Sequence, residues 1–203
     1  MKISLEQAGK KFYRHWIFKS IDYTFTAPES YALLGSNGSG KSTLMRLLAG
    51  MQSASSGKIR HEYNGQTVED GKLFPLISFC APGMEIIEEM TLREFLNFHF
   101  SHKRPLLPLE EIIALTGMGK AADKMISEYS SGMKQRVKLA QAIFAATPLL
   151  LLDEPCTNLD EAGVAQYRSW MDQYTANRLV IVASNDVREY FFCKERLEMS
   201  DWK

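Results

Sequence analysis

Apolar and polar positions along this chain switch between two periods. Residues 3–7, 17–26 and 31–34 carry β-branched, aromatic and aliphatic side chains in runs of strand length. Residues 58–63 form the first arm of an expected hairpin turning at Asn64-Gly65, a pair that suits tight two-residue turns. Between these runs, Leu44, Leu47 and Leu48 share one face of a helix that starts near Lys41 and stops at Gly50. A strand over 77–81 ends at Pro82-Gly83, and from about 84 to 130 the pattern turns helical. There Thr91 and Glu94 have the spacing of a capping box, and Pro108 takes a first helical position ahead of Glu110 and Glu111. The last third alternates again: helix over 131–145, a strand at 149–153, helix over 161–174, a strand at 179–183 and an edge strand over 195–199. Such alternation predicts an α/β fold. With no repeat or long linker, 1–203 is expected to be a single domain, with about 84–130 inserted as a small helical subdomain.

Composition narrows the classes. The 203 residues suit one domain, and 45% hydrophobic with 24% charged residues is a globular balance. Lys+Arg and Asp+Glu both number 24, so the neutral chain has no strong pull toward nucleic acid and no such partner is expected. Cys80, Cys156 and Cys193 are scattered, which fits a reducing cytosol better than a disulfide framework or zinc site. The first residues lack the apolar core of a signal peptide, and no run approaches the ~18 apolar residues of a spanning helix. Service to a membrane is therefore expected to go through another chain.

Gly35-Ser36-Asn37-Gly38-Ser39-Gly40-Lys41-Ser42-Thr43 matches G-x-x-x-x-G-K-[ST] between an expected strand and an expected helix. Glycines let backbone N–H groups curl inward around phosphate oxygens, and the helix N-terminus adds positive potential. Lys41 is expected to reach the β- and γ-phosphates and the Ser42 hydroxyl to ligate Mg²⁺. Downstream, Leu149-Leu150-Leu151-Leu152-Asp153-Glu154 is four aliphatics and then two acids. A central parallel strand is buried on both faces and reads this way, and ligands gather at its carboxyl end. Asp153 is the expected Mg²⁺ partner and Glu154 the group that polarises an attacking water.

Tyr129-Ser130-Ser131-Gly132-Met133-Lys134-Gln135-Arg136 resembles the ABC signature, usually LSGGQ-x-QR; Ser130, Gly132, Gln135 and Arg136 match, while Tyr129, Ser131 and Met133 depart. With the phosphate loop and acidic strand in this order, the whole chain resembles the ATP-binding subunit of an ABC transporter. The resemblance implies a P-loop NTPase core with a mixed sheet flanked by helices, an antiparallel β subdomain in the N-terminal part and the α-helical insertion. It further implies a head-to-tail dimer in which Ser130, Ser131, Gly132 and Met133 reach the ATP held by the other subunit. A homodimer and a heterodimer both remain open. Thr157-Asn158-Leu159-Asp160 resembles the D-loop, with Asp160 crossing to the opposite site. Phe12, 29 residues before Lys41, falls near the family's adenine-stacking aromatic, with Tyr13 and Trp16 as competitors.

Two switch residues of that family are replaced. Pro82 stands where the Q-loop glutamine is expected, and no glutamine occurs between Gln66 and Gln135. Glu85 either folds back to substitute or is a solvated charge. Asn185 stands at the switch-histidine position; its amide can donate to a γ-phosphate but cannot become a cation or relay a proton. Loss of one such contact typically costs ~10²–10³ in rate, so slow ATP hydrolysis is expected. His15, His61, His99 and His102 lie far off in sequence and are expected at the surface. The resemblance implies a cytoplasmic subunit, peripheral on the inner membrane face, with ATP and Mg²⁺ as ligands and a separate permease as partner. Residues 84–90, mixing apolar and acidic side chains, are either part of that contact or a helical turn packed on the subdomain. A soluble ABC ATPase serving a cytosolic assembly such as iron–sulfur cluster machinery, and a regulatory module that scarcely hydrolyses ATP, are the competing readings.

Overall fold

A computed structural model describes the backbone of all 203 residues and every side chain except that of Asp70. Strands β3 (Ser30–Leu34), β6 (Ile77–Cys80), β7 (Leu149–Asp153), β8 (Leu179–Ala183) and β9 (Glu195–Glu198) form a parallel sheet in the order β6-β7-β8-β3-β9. Strands β1 (Lys2–Phe12), β2 (His15–Thr26), β4 (Ser56–Tyr63) and β5 (Gln66–Val68) form a separate antiparallel sheet, β2-β1-β4-β5.

The continuous apolar runs have a geometric cause. Successive side chains of a strand point to opposite faces. Leu149, Leu151, Leu179 and Ile181 enter a core shared with helix α1 (Lys41–Leu48) and the antiparallel sheet. Leu150, Leu152, Val180 and Val182 enter a second core with helices α2 (Leu92–His102), α3 (Leu109–Leu115), α4 (Ser131–Ile143) and α5 (Glu161–Tyr174). Both faces of β7 and β8 are covered, so no polar position interrupts them until Asp153.

The Asn64-Gly65 turn joins β4 to β5 with both residues at positive φ, as that turn type requires. The capping box also forms: Thr91 Oγ1 accepts the Glu94 N–H, and Glu94 accepts the Thr91 N–H. Three expectations need correction. Between 84 and 130, helix is confined to α2, α3 and short 3₁₀ turns, and 84–90 has no helical turn. Pro108 is the N-cap of α3, with ψ at 144°, and Leu109 is its first residue. His61 is buried, with Nε2 2.8 Å from the Leu48 carbonyl, where it ties β4 to the end of α1. The first two strands are also longer than their sequence pattern: they meet in a second hairpin at Tyr13-Arg14, with Phe12 facing His15.

Candidate functional site

Strand β3 delivers the chain to the loop 35–40, and α1 carries it away. Gly35 and Gly40 have φ of 142° and 106°, and a Cβ on Gly40 would lie 2.5 Å from Ile17. Only glycine fits that backbone comfortably. The first helical bond runs from Leu44 N–H to Gly40 O, so the amides of Lys41, Ser42 and Thr43 have no acceptor within the helix. They sit where the helix favours anions. The Lys41 side chain, only 6% exposed, donates to the carbonyls of Gly35 and Ser36. The buried Ser39 hydroxyl has no partner among the described residues. A donor without an acceptor, beside turned-in amides and an ammonium, fits a phosphate oxygen.

The carboxyl end of β7 lies across from this loop. Asp153 is buried beside the Ser42 side chain. Burial raises its pKa, while Ser42 and the Lys41 and Arg46 cations oppose the rise. A serine hydroxyl beside a carboxylate is a pair of hard oxygen donors that fits Mg²⁺, an ion that takes few protein ligands and completes its shell with phosphate and water. Glu154 has φ of 45°, a left-handed turn that sends its side chain outward just after Asp153 points in. It lines a cavity of about 200 Å³ with Asn37, Lys41, Ser42 and Ile17. An adjoining cavity of about 280 Å³ is lined by Asn37, Glu154, Asn185, Asp186 and Glu189. Asn185 Oδ1 accepts the Gly35 N–H at 3.2 Å, so its amide NH₂ is left to donate. Larger concavities lie elsewhere and contain neither Lys41 nor Asp153.

Residues 12–16 occupy the tip of the β1–β2 hairpin. Phe12 is 44% exposed with the Lys10 ammonium 5.3 Å from its ring centre, Trp16 has Lys11 and Lys19 over its ring, and Tyr13 is almost fully exposed. From this hairpin it is Ile17 that lines the nucleotide-loop cavity, a residue the sequence pattern did not single out. Glu85 is exposed and lines a different concavity of about 760 Å³ with Pro82, Glu88 and Lys134.

The signature segment opens α4. Ser130 is its N-cap, accepting the Met133 N–H at 3.3 Å, and Ser131 is exposed. Gly132 packs on the Asn158 carbonyl, 3.0 Å from where a Cβ would stand. Tyr129, where the signature usually has leucine, is buried and donates to the Ala121 carbonyl at 2.6 Å. Residues 130–133 line neither cavity named above, so within one chain they stay apart from Lys41 and Glu154. The next two residues tie this helix to the acidic turn: Gln135 Nε2 donates to the Pro155 carbonyl at 2.7 Å, and Arg136 pairs with Asp160 at 3.2 Å. Asp160 also caps α5 by accepting the Gly163 N–H, which with Arg136 holds its carboxyl below the usual range.

Comparison with known proteins agrees with this geometry. The ABC transporter profile matches residues 18–157. The uncharacterised ABC transporter ATP-binding protein YybJ of Bacillus subtilis is 33% identical over 94% of this chain and 89% of its own length. The sulfate/thiosulfate import ATP-binding protein CysA of Synechococcus elongatus is 33% identical over 83% of this chain. The chain spans only 50% of CysA, and 62% of another Bacillus subtilis relative, YxlF. In fold, an ATP-binding subunit of an ABC transporter superposes with a TM-score of 0.85 over 98% of this chain and 85% of that one, at 20% identity. Phosphate loop, signature helix and acidic strand thus occur together on the expected fold, and the chain belongs to the ABC transporter family as an ATP-binding domain.

Proposed function

We propose that this chain binds and hydrolyses ATP as one half of a dimer closed over two nucleotides, and that closure drives a separate membrane permease. The observation that carries the reading is the convergence of Lys41, Ser42, Glu154 and Asn185 on two adjoining cavities at one end of the parallel sheet, with Asp153 buried beside Ser42. On nucleotide binding, Lys41 exchanges the Gly35 and Ser36 carbonyls for phosphate oxygens, and the loop amides take the rest of the charge. Ser42 and Asp153 would hold Mg²⁺, whose charge, when bound, offsets that of the phosphates. Glu154 polarises the attacking water, and Asn185 donates its amide to the γ-phosphate.

Ser130, Ser131, Gly132, Met133 and Asp160 have no task at the ATP of their own chain in this scheme; they serve the partner's. The names of relatives support the transport setting, since CysA is an import ATP-binding protein. No helix among the described residues is long and apolar enough to cross a membrane. The wall formed by residues 82–89 with Lys134 and Lys138 is the surface we assign to the permease.

Pro82 and Asn185 favour slow turnover, and a regulatory module that binds ATP and scarcely hydrolyses it is the second reading. Calorimetry with magnesium and ATP, followed by single-turnover hydrolysis, separates the two. Asn185→His is expected to raise kcat about tenfold, part of what one preorganised contact contributes. A wild-type rate typical of the family and unmoved by that substitution would contradict the slow-turnover reading. Co-purification from membranes tests the permease: an integral membrane partner is expected, and a purely soluble assembly would favour a cytosolic ABC ATPase instead.

A further inference from the structure

We propose that Glu189 is a positioning residue for Glu154: it fixes the turn that aims the water-polarising carboxylate and ties that turn to the segment bearing Asn185. The inference rests on the role given to Glu154 above.

Glu189 is an acid only 5% exposed, a placement that is unfavourable unless its oxygens are engaged. Oε1 is engaged: it accepts the backbone N–H of Cys156 at 2.7 Å, and the Ser184 side chain nearby favours the charged carboxylate. Cys156 lies two residues beyond Glu154, inside the turn that Glu154 opens with its left-handed φ of 45°. A non-glycine residue holds that conformation only when its surroundings over-determine it. Other bonds contribute: Gln135 Nε2 to the Pro155 carbonyl, and Thr157 Oγ1 to the Glu154 carbonyl at 3.0 Å. The Glu189 contact differs from these in origin, because it comes from the segment after β8 that also carries Asn185.

Glu189 is itself held in place. Its N–H donates to the Asp186 carbonyl at 2.9 Å, and its own carbonyl accepts the Tyr167 hydroxyl of α5 at 2.7 Å. Ser184 links the same group to the start of the segment, accepting the Asp186 N–H at 2.8 Å. Asn185 bonds the first amide of the phosphate loop at 3.2 Å, and Glu154 and Asn185 face the same cavity. A displacement of residues 184–189 would therefore move both the donor to the γ-phosphate and the turn beneath Glu154. Glu189 borders the same cavity as Glu154 and Asn185, with Oε1 taken up by the Cys156 N–H, and the role proposed for it needs no contact with nucleotide or water.

The test uses the full chain with Glu189→Ala and Glu189→Gln, measuring amide exchange at Cys156, the Kd for magnesium-ATP, and kcat. Glu189→Ala is expected to deprotect the Cys156 amide and to lower kcat on the order of 10²-fold, the effect of a misplaced reacting group, while Kd stays within roughly threefold. Glu189→Gln keeps an acceptor oxygen, so it should keep the protection and bring kcat to within roughly tenfold of wild type. Persistent Cys156 protection in Glu189→Ala overturns the inference whether or not the chain turns ATP over. An equal fall of kcat in both variants with the amide still protected in Glu189→Gln also overturns it, by pointing to charge instead of position. If Glu189→Ala does not fold, Glu189→Gln decides alone: a deprotected Cys156, or a fall in kcat well beyond tenfold, refutes the role. A wild-type chain that binds ATP without hydrolysing it is a failure of the hydrolytic reading, and the exchange measurement still reports whether Glu189 fixes the turn.

Discussion

The phosphate loop and the turn at Glu154 line one cavity but are built in different ways. The loop and the first helical turn are nine consecutive residues, 35–43, directly after one strand, and most of their donors are backbone amides. The turn at Glu154 is assembled from distant segments. Gln135 reaches Pro155 across 20 residues, and Glu189 reaches Cys156 across 33. Backbone donors survive many side-chain changes, whereas an assembled set fails at its most distant member. Of the two replaced switch positions, Asn185 shares a cavity with Glu154, while Pro82 lies on the separate wall beside Lys138. On the proposed function, nucleotide grip and nucleotide turnover are therefore expected to be separable in this chain.

That separation can be broken or sharpened by experiment. The largest effect is expected from Glu154→Gln, which removes the proposed general base and should lower kcat by about 10²–10⁴ with little change in Kd. A comparable loss of affinity would merge the two regions and refute the comparison. Next comes Lys41→Ala, which removes charge-assisted bonds to the phosphates and should weaken ATP binding by about 10²–10³, seen by calorimetry. Gln135→Ala should act through structure, leaving the Pro155 carbonyl unpaired in a buried setting. A loss of about 1–3 kcal/mol in denaturant unfolding is expected, with a lower kcat and an unchanged Kd.

The smallest effect lies outside both regions. Burial, followed by the nearby Lys103 cation, lowers the His99 pKa to about 4 from an ordinary value near 6.5. Between those values the unfolded chain takes up a proton that the folded chain refuses. Stability from this group is complete above pH 6.5 and is lost as pH falls toward 4. Because the ring is partly exposed, the loss should be about 1–2 kcal/mol, and His99→Gln should flatten that part of the pH–stability curve without altering ATP affinity.

How far each region was legible in the sequence follows the same division. The loop was legible because its chemistry is local: glycines, lysine and serine at fixed offsets between a strand and a helix. Strands β7 and β8 were legible because burial on two faces removes every polar position. Asn64-Gly65 and the Thr91–Glu94 box were legible because turns and caps use nearby residues. The Tyr13-Arg14 hairpin was not, because it lacks a glycine or asparagine turn signal and because register irregularities between Leu5 and Lys11 interrupt the two-residue period. His61 misled because a polar ring in a strand pattern gives no sign of the Leu48 carbonyl it meets. Residues 84–90 misled because their apolar and acidic residues mimic a helical face, whereas the segment has no regular structure. Glu189 gave no signal at all: one acid after β8 becomes significant only when folding brings Cys156 to it.

Helix α4 deserves a mechanical description. Near its start Gln135 and Arg136 clamp it to the turn after β7 and to the cap of α5. Along its side Lys134 grips Glu88 at 2.7 Å, and Lys138 grips the Pro82 carbonyl at 3.1 Å. Thirteen residues thus form a strut with fastenings at both the outer wall and the acidic turn. Five consecutive helical residues, 134–138, carry every one of these fastenings, so a displacement of the wall would reach the turn at Glu154 through little more than one turn of helix.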